Sequence, residues 1–165
     1  MKKILLALVI LGSTAFSSFA QSSKDGGKFS IGVEGGLPLN GNVRSVFDYV
    51  IGGSLKYEIP VAQATFFTVS AGFNSFHAKS EFTNVSSANW IPLKVGIKHY
   101  FEKGFFGEAQ LGASIPTVSE RSTRFAYSPG IGYTFDGGFE AGVRYEGWSN
   151  NGTISQLGLR LAYRF

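Results

Sequence analysis

The most constraining feature of this 165-residue chain is an alternation of apolar and polar residues that recurs in eight segments. Successive side chains of a β-strand point to opposite faces, so each segment predicts a strand with one apolar and one polar face. No segment shows a helical period of any length. The chain is therefore expected to be all-β, with strands over 28–39, 49–59, 64–77, 89–101, 104–116, 124–135, 138–149 and 154–165.

The composition excludes several other classes of protein. Aromatic residues make up 15% of the chain, and disordered chains are poor in aromatics. Past the N-terminal segment, no stretch approaches the roughly 20 apolar residues that a membrane-spanning helix needs. The chain contains no Cys, which excludes disulfides, Cys-ligated metals, thiol catalysis and an acylated lipoprotein anchor.

The first 20 residues are predicted to be a cleaved secretory signal peptide. Lys2 and Lys3 form its basic region, Ile4 to Leu11 its apolar core, and Ser18-Phe19-Ala20 its cleavage site. The predicted domains are then the signal peptide over 1–20, a polar leader over 21–27 and one β-domain over 28–165. Removing two lysines and no acid lowers the formal net charge from +4 to +2, and no basic run remains to bind nucleic acid.

The connections between the predicted strands alternate in length. Three are short, at 60–63, 102–103 and 136–137, and three are longer, at 40–48, 78–88 and 117–123. Outer-membrane barrels have short periplasmic turns and longer extracellular loops, so this alternation is typical of that architecture. An even number of strands also places both chain ends on the periplasmic side.

Two architectures fit alternating strands, and the positions of the aromatic residues favour one of them. A secreted β-sandwich would bury its aromatics centrally, whereas a membrane barrel carries aromatic girdles at both interfaces. At the predicted periplasmic end lie Phe29, Tyr57, Phe67, Phe101, Phe105, Phe135, Phe139 and Phe165. Toward the other end lie Tyr49, Phe73, Trp90, Phe125, Tyr127 and Trp148, of which the two tryptophans fall on the inward side of the alternation. The sequence therefore predicts an eight-stranded antiparallel up-and-down transmembrane β-barrel.

The last residues carry a resemblance to a known family. Leu157, Leu159, Leu161, Tyr163 and Phe165 alternate up to a terminal aromatic and match the C-terminal assembly signal of outer-membrane barrels. In length and strand number the chain resembles the small OmpA/OmpX-type barrels and the opacity-type outer membrane protein beta-barrel domains. That resemblance implies location in the outer membrane of a Gram-negative bacterium, insertion by the barrel-assembly machinery, and contact with outer-membrane lipids and lipopolysaccharide.

The alternation also predicts which charged residues face the interior of the barrel. They are Glu34, Lys56, Glu58, Lys94, Lys98, Glu108, Glu140, Arg144, Glu146, Arg160 and Arg164. Five acids and six bases are nearly balanced, which favours mutual pairing in a plugged lumen, because an unpaired buried charge is costly. A narrow pore for small solutes or ions is the alternative.

Catalytic chemistry finds little support in the sequence. Some small barrels are lipid-modifying enzymes, and His77 could combine with Ser75, Ser80, Glu81 and Asp48 into a site of nucleophile and base. The His-x-Ser spacing of the deacylases is absent, however, and His99 is predicted at the periplasmic end. We therefore expect no catalytic residue, metal or cofactor.

The expected role is structural or adhesive, with the extracellular loops available to a surface ligand that the sequence does not identify. Their charged residues, Arg44, Asp48, Lys79, Glu81, Glu120 and Arg121, have no dominant sign. We expect a monomer that binds no nucleic acid.

Overall fold

The computed structural model describes residues 26–79, 81, 87–118 and 121–165, so the predicted signal peptide and most of the leader lie outside the described residues. Eight antiparallel strands follow one another around a closed barrel, and the last pairs with the first. This confirms the predicted up-and-down barrel. The strands are β1 (Lys28–Pro38), β2 (Phe47–Ala62), β3 (Thr65–Ala78), β4 (Ala88–Tyr100), β5 (Phe105–Pro116), β6 (Arg124–Thr134), β7 (Phe139–Ser149) and β8 (Thr153–Arg164).

The predicted strand limits agree with these to within a few residues, and the largest differences are in β2. This strand begins at Phe47 and continues through Pro60 to Ala62, with irregular register between Phe47 and Tyr49 and between Pro60 and Ala62. The β2–β3 turn is consequently tighter than predicted. In the first long loop, a short helix α1 spans Gly41–Arg44.

Two prolines interrupt the hydrogen-bond ladders in the middle of the barrel wall. The β3–β4 pairs stop at Ala71↔Leu93 and resume at Asn74↔Trp90, on either side of Pro92. The β6–β7 pairs are interrupted in the same way around Pro129. Proline has no N–H to donate to a neighbouring strand, so each interruption has a direct chemical cause.

The outer wall of the barrel is apolar and the inner wall is polar. Val33, Leu55, Leu93 and Leu159 are among many large apolar side chains exposed on the outside, while charged residues that alternate with them are buried inside. This distribution is the reverse of that in a soluble protein and is the one that a lipid-facing barrel requires. Among the described residues, no helix is long and apolar enough to cross a membrane.

Candidate functional site

The lumen contains the buried charged side chains of this barrel. All eleven charged residues predicted to face inward take part in at least one ion pair there. The ion pairs divide them into two clusters at different depths, which the contact between Arg160 and Glu34 joins. We call these the periplasmic cluster and the extracellular cluster, after the orientation predicted for the barrel.

The periplasmic cluster is built around two buried lysines. Lys98 Nζ lies 2.8 Å from Glu58 Oε1 and also contacts the carboxylate of Glu140. Lys56 Nζ lies 3.0 Å from Glu108 Oε2 and 3.2 Å from Glu140 Oε1. The two lysines thus share Glu140, so the loss of one side chain would leave charges that its neighbours cannot fully compensate.

Two arginines complete the periplasmic cluster from β8. Arg160 Nη1 lies 3.2 Å from Glu140 Oε1, and its Nε lies 3.6 Å from Glu34 Oε1. Arg164 Nη1 lies 3.5 Å from Glu58 Oε2, at the partly exposed periplasmic edge. Arg160 and Glu34 are Cα partners where β8 meets β1, but the shorter ion pair of Arg160 is with Glu140.

The extracellular cluster contains two acids and two bases. Arg144 Nη2 lies 2.5 Å from Glu34 Oε2 and 2.9 Å from Glu146 Oε2. Lys94 Nζ lies 3.0 Å from Glu146 Oε1, which also accepts a 3.0 Å hydrogen bond from Trp148 Nε1. The formal charges in this cluster cancel, whereas the periplasmic cluster has four bases and three acids and therefore one excess positive charge.

Uncharged side chains complete the network, and the sequence analysis did not single them out. Ser54 Oγ donates a 2.6 Å hydrogen bond to Glu34 and accepts one of 3.0 Å from Arg160 Nε. Tyr100 Oη accepts a 2.9 Å hydrogen bond from Arg164 Nη1. Their positions in the alternation indicate that they face inward, but the alternation alone does not predict which charged group each hydroxyl contacts.

An apolar layer closes the lumen above the extracellular cluster. The ring of Trp148 contacts those of Phe76 and Trp90 there, with centroids 5.4 Å apart in both pairs. Val50, Ala88 and Ala126 are buried in the same cluster. We call these six residues the aromatic cap. The two tryptophans were predicted on the inward side, but Phe76 and the cap itself were not predicted.

A second aromatic group closes the periplasmic end. Phe66, Tyr100 and Phe106 pack edge to face, with centroids 5.7 Å apart for Phe66–Tyr100 and 5.6 Å apart for Tyr100–Phe106. Lys98 Nζ lies 3.9 Å from the ring centroid of Phe106, a cation–π contact that favours the buried ammonium. Between the two aromatic layers, the described interior cavities have room for little more than water molecules.

The two histidines lie on the outer wall, at opposite ends of the barrel. His77 stacks on Tyr49 with centroids 4.9 Å apart, and no hydrogen bond joins it to the described Ser75, Asp48 or Glu81. His99 Nδ1 lies 2.8 Å from Thr65 Oγ1 at the periplasmic end. Within the described ranges, no group of three or more His, Asp or Glu side chains is placed to hold a metal ion.

The residues of the predicted assembly signal form the outer face of β8. Leu157, Leu159, Leu161, Tyr163 and Phe165 are all exposed on the lipid-facing side. The backbone N–H of Phe165 donates to the carbonyl of Phe29, and the two rings stack with centroids 6.4 Å apart. The last residue therefore lies on the seam where β8 meets β1.

Neither the family models nor the curated protein sequences give a match to this chain. Solved structures do match. The attachment invasion locus protein Ail of Yersinia pestis gives a TM-score of 0.63 at 15% identity, over 86% of this chain and 99% of Ail. The outer-membrane enzyme PagL gives a TM-score of 0.63 at 15% identity, over 81% of this chain and 98% of PagL. The N-terminal β-barrel domain of Pseudomonas aeruginosa OprF gives a TM-score of 0.59 at 15% identity, over 84% of this chain and 97% of that domain.

These likenesses establish the fold and leave the function open. At 15% identity they support the small outer-membrane type of β-barrel. They do not support the narrower OmpA or opacity-type label. One of the three is an enzyme and another carries attachment in its name, so the same barrel supports different functions.

Proposed function

We propose that this protein is a closed outer-membrane β-barrel of a Gram-negative bacterium that supports the cell envelope and presents its extracellular loops for binding. The observation that carries the proposal is the filled lumen. Its charged side chains are paired in two clusters, and an aromatic layer lies at each end. A solute path through this interior would require several buried ion pairs to separate, at a high cost in free energy.

Single-channel recording tests the closed lumen against the narrow-pore alternative. Purified protein, refolded and inserted into planar lipid bilayers, is expected to give no stepwise conductance. A matched variant, Lys98→Ala, removes a side chain from the centre of the periplasmic cluster and is expected to give brief openings. Steady conductance from the wild-type barrel would instead establish the pore.

The loops are the proposed site of binding, because a rigid barrel holds them outside the membrane. The similarity in fold to Ail, an attachment invasion locus protein, supports an adhesive role by analogy. A strain lacking this protein can be complemented with the wild type or with a variant in which loop residues 79–87, between β3 and β4, are replaced by Gly and Ser. If both restore resistance to detergent but only the wild type restores attachment to host cells, the envelope and binding roles are separated.

The remaining parts of the proposal concern location and chemistry. The proposal includes cleavage after Ala20, insertion by the barrel-assembly machinery, contact with outer-membrane lipids and lipopolysaccharide, and a monomeric state. We also propose that the protein is not an enzyme, since His77 is engaged with the ring of Tyr49. Mass spectrometry of lipid A from cells that express the wild type or His77→Ala checks this. A His77-dependent change in acylation would overturn it.

A further inference from the structure

The first extracellular loop covers the aromatic cap. Residues 39–46, which we call the lid, leave β1, pass through the helical turn α1 and enter β2. Val43 of the lid and Phe47 directly after it pack against the cap from above. Trp90, Trp148 and Phe76 are no more than 2% exposed beneath this cover.

One side chain fastens the lid to the opposite strand. The Oδ1 atom of Asn40 accepts hydrogen bonds from the backbone N–H of Ser155 and, at 2.6 Å, from its hydroxyl. The backbone N–H of Leu39 donates to the carbonyl of Ser155 at 2.8 Å. At its other end the lid is joined to the residue that follows β3, because Lys79 N–H donates to the carbonyl of Val46.

Asn40 has a second partner available within its own loop. It occupies the N-cap position of α1, and its side chain makes no capping hydrogen bond there. Asparagine is among the preferred N-cap residues, because its oxygen can accept from an unpaired N–H in the first helical turn. The same oxygen can therefore bind Ser155 or cap α1, so that hydrogen bonds lost at Ser155 are partly replaced within the lid.

The cap is attached to the barrel independently of the lid. Trp148 donates to Glu146 in the lumen below. The guanidinium of Arg124 lies over Trp90, and Arg124 Nη1 donates to the carbonyls of Asn150 and Gly152 in the β7–β8 loop. The turn α1 itself buries no residue, so lifting the lid separates little apolar surface apart from Val43.

We propose that the lid is a movable cover with two states, controlled by the choice of Asn40 between Ser155 and the N-terminus of α1. In the closed state, Asn40 holds the lid on β8 and the cap is dry. In the open state, Asn40 caps α1 and the cap is exposed to extracellular solvent, while the ion-pair clusters below remain intact. The barrel thus has an extracellular mouth that can open without creating a channel.

The tryptophans give a direct readout of the two states. The chain has only two Trp residues, and both belong to the cap, so quenching of intrinsic fluorescence by acrylamide measures exposure of the cap. Asn40→Ala removes two hydrogen bonds from the closed state and the cap of α1 from the open state. The net loss of about one hydrogen bond is expected to raise the open fraction about fivefold and to increase quenching. The matched control is Asn42→Ala, because Asn42 is exposed two positions further along the lid.

A reversible lock keeps the test decisive if Asn40→Ala does not fold. The protein contains no Cys, so Asn40→Cys combined with Ser155→Cys introduces one disulfide between side chains that are in contact. Oxidation is expected to reduce acrylamide quenching below the wild-type value, and reduction is expected to raise it above that value. Equal quenching in the oxidised and reduced protein would overturn the proposal, as would an equal increase in Asn40→Ala and Asn42→Ala.

Discussion

Arg144 on β7 reaches past β8 to Glu34 on β1, although Glu34 has a Cα partner on β8 itself, Arg160. The distance from Arg144 Nη2 to Glu34 Oε2 is 2.5 Å, whereas Arg160 Nε lies 3.6 Å from Glu34 Oε1. The principal ion pair of Glu34 therefore joins strands that do not pair. Contacts of this kind connect strands of the wall that share no hydrogen-bond ladder.

Replacing Arg144 tests how much this connection contributes to stability. Arg144→Met leaves Glu34 and Glu146 with one nearby base fewer in a buried environment. We expect the free energy of unfolding to fall by about 3–5 kcal/mol, the cost of breaking a buried pair. Urea unfolding in lipid vesicles measures it. The control Lys103→Met removes an exposed ion pair with Asp136 and is expected to change stability by less than about 1 kcal/mol.

A double mutant distinguishes loss of charge balance from loss of packing. Adding Glu34→Gln to Arg144→Met removes one of the two stranded acids, so part of the lost stability should return. If the double mutant is as unstable as the sum of the two single mutants, the contribution of Arg144 is the packing of its long side chain and the ion pair contributes little.

Glycine at position 112 is expected to be essential for wall geometry. A Cβ built on Gly112 lies 2.0 Å from the carbonyl oxygen of Leu93, so even a methyl group requires the backbone of β4 or β5 to move. Gly112→Ala is expected to cost about 1–3 kcal/mol, as overpacking does elsewhere. Gly35→Ala is the matched control, because nothing lies within 4 Å of its Cβ position. Equal unfolding midpoints for both variants would contradict this account.

The fold could be predicted from the sequence because side-chain direction in a strand repeats every two residues and the turns mark the ends of each strand. That periodicity also assigned each charged residue to a face, and Glu34, Lys98 and Glu146 are among those that lie in the lumen. The sequence did not predict that the clusters separate by depth. Separation depends on the register between strands, which shifts around a barrel and is not encoded in any single strand.

The aromatic cap and the contact between Asn40 and Ser155 were not predicted either, because they too depend on how the strands pair. Phe76, Trp90 and Trp148 come from β3, β4 and β7, so their contact requires the closed barrel. Asn40 and Ser155 are far apart in sequence and meet only because β8 closes on β1. An asparagine in a loop is not part of an alternating pattern, so the sequence does not indicate that Asn40 will contact Ser155.

The barrel is expected to resist detergent at room temperature. Each strand is paired on both sides, so few backbone groups remain for detergent to solvate. Unboiled protein should therefore migrate differently from boiled protein in SDS gels, with a β-type circular dichroism spectrum in micelles. Identical migration before and after boiling, together with monomeric solubility in the absence of detergent, would contradict a membrane barrel.

The terminal aromatic is expected to matter more for assembly in cells than for stability. Phe165 is 66% exposed, so its side chain contributes little buried surface. Phe165→Ala should lower the amount of protein in the outer membrane while refolding into micelles proceeds nearly as in the wild type.

Phe101→Ala is the matched control, because this ring is 61% exposed at the same end of the barrel and lies in the β4–β5 turn, away from the β1–β8 seam. If both variants lose the same amount in cells, Phe165 acts as one ring of the girdle and the insertion machinery does not distinguish it. If Phe165→Ala also fails to refold in micelles, its contact with Phe29 is needed to close the barrel, and recognition by that machinery is not required to explain the loss.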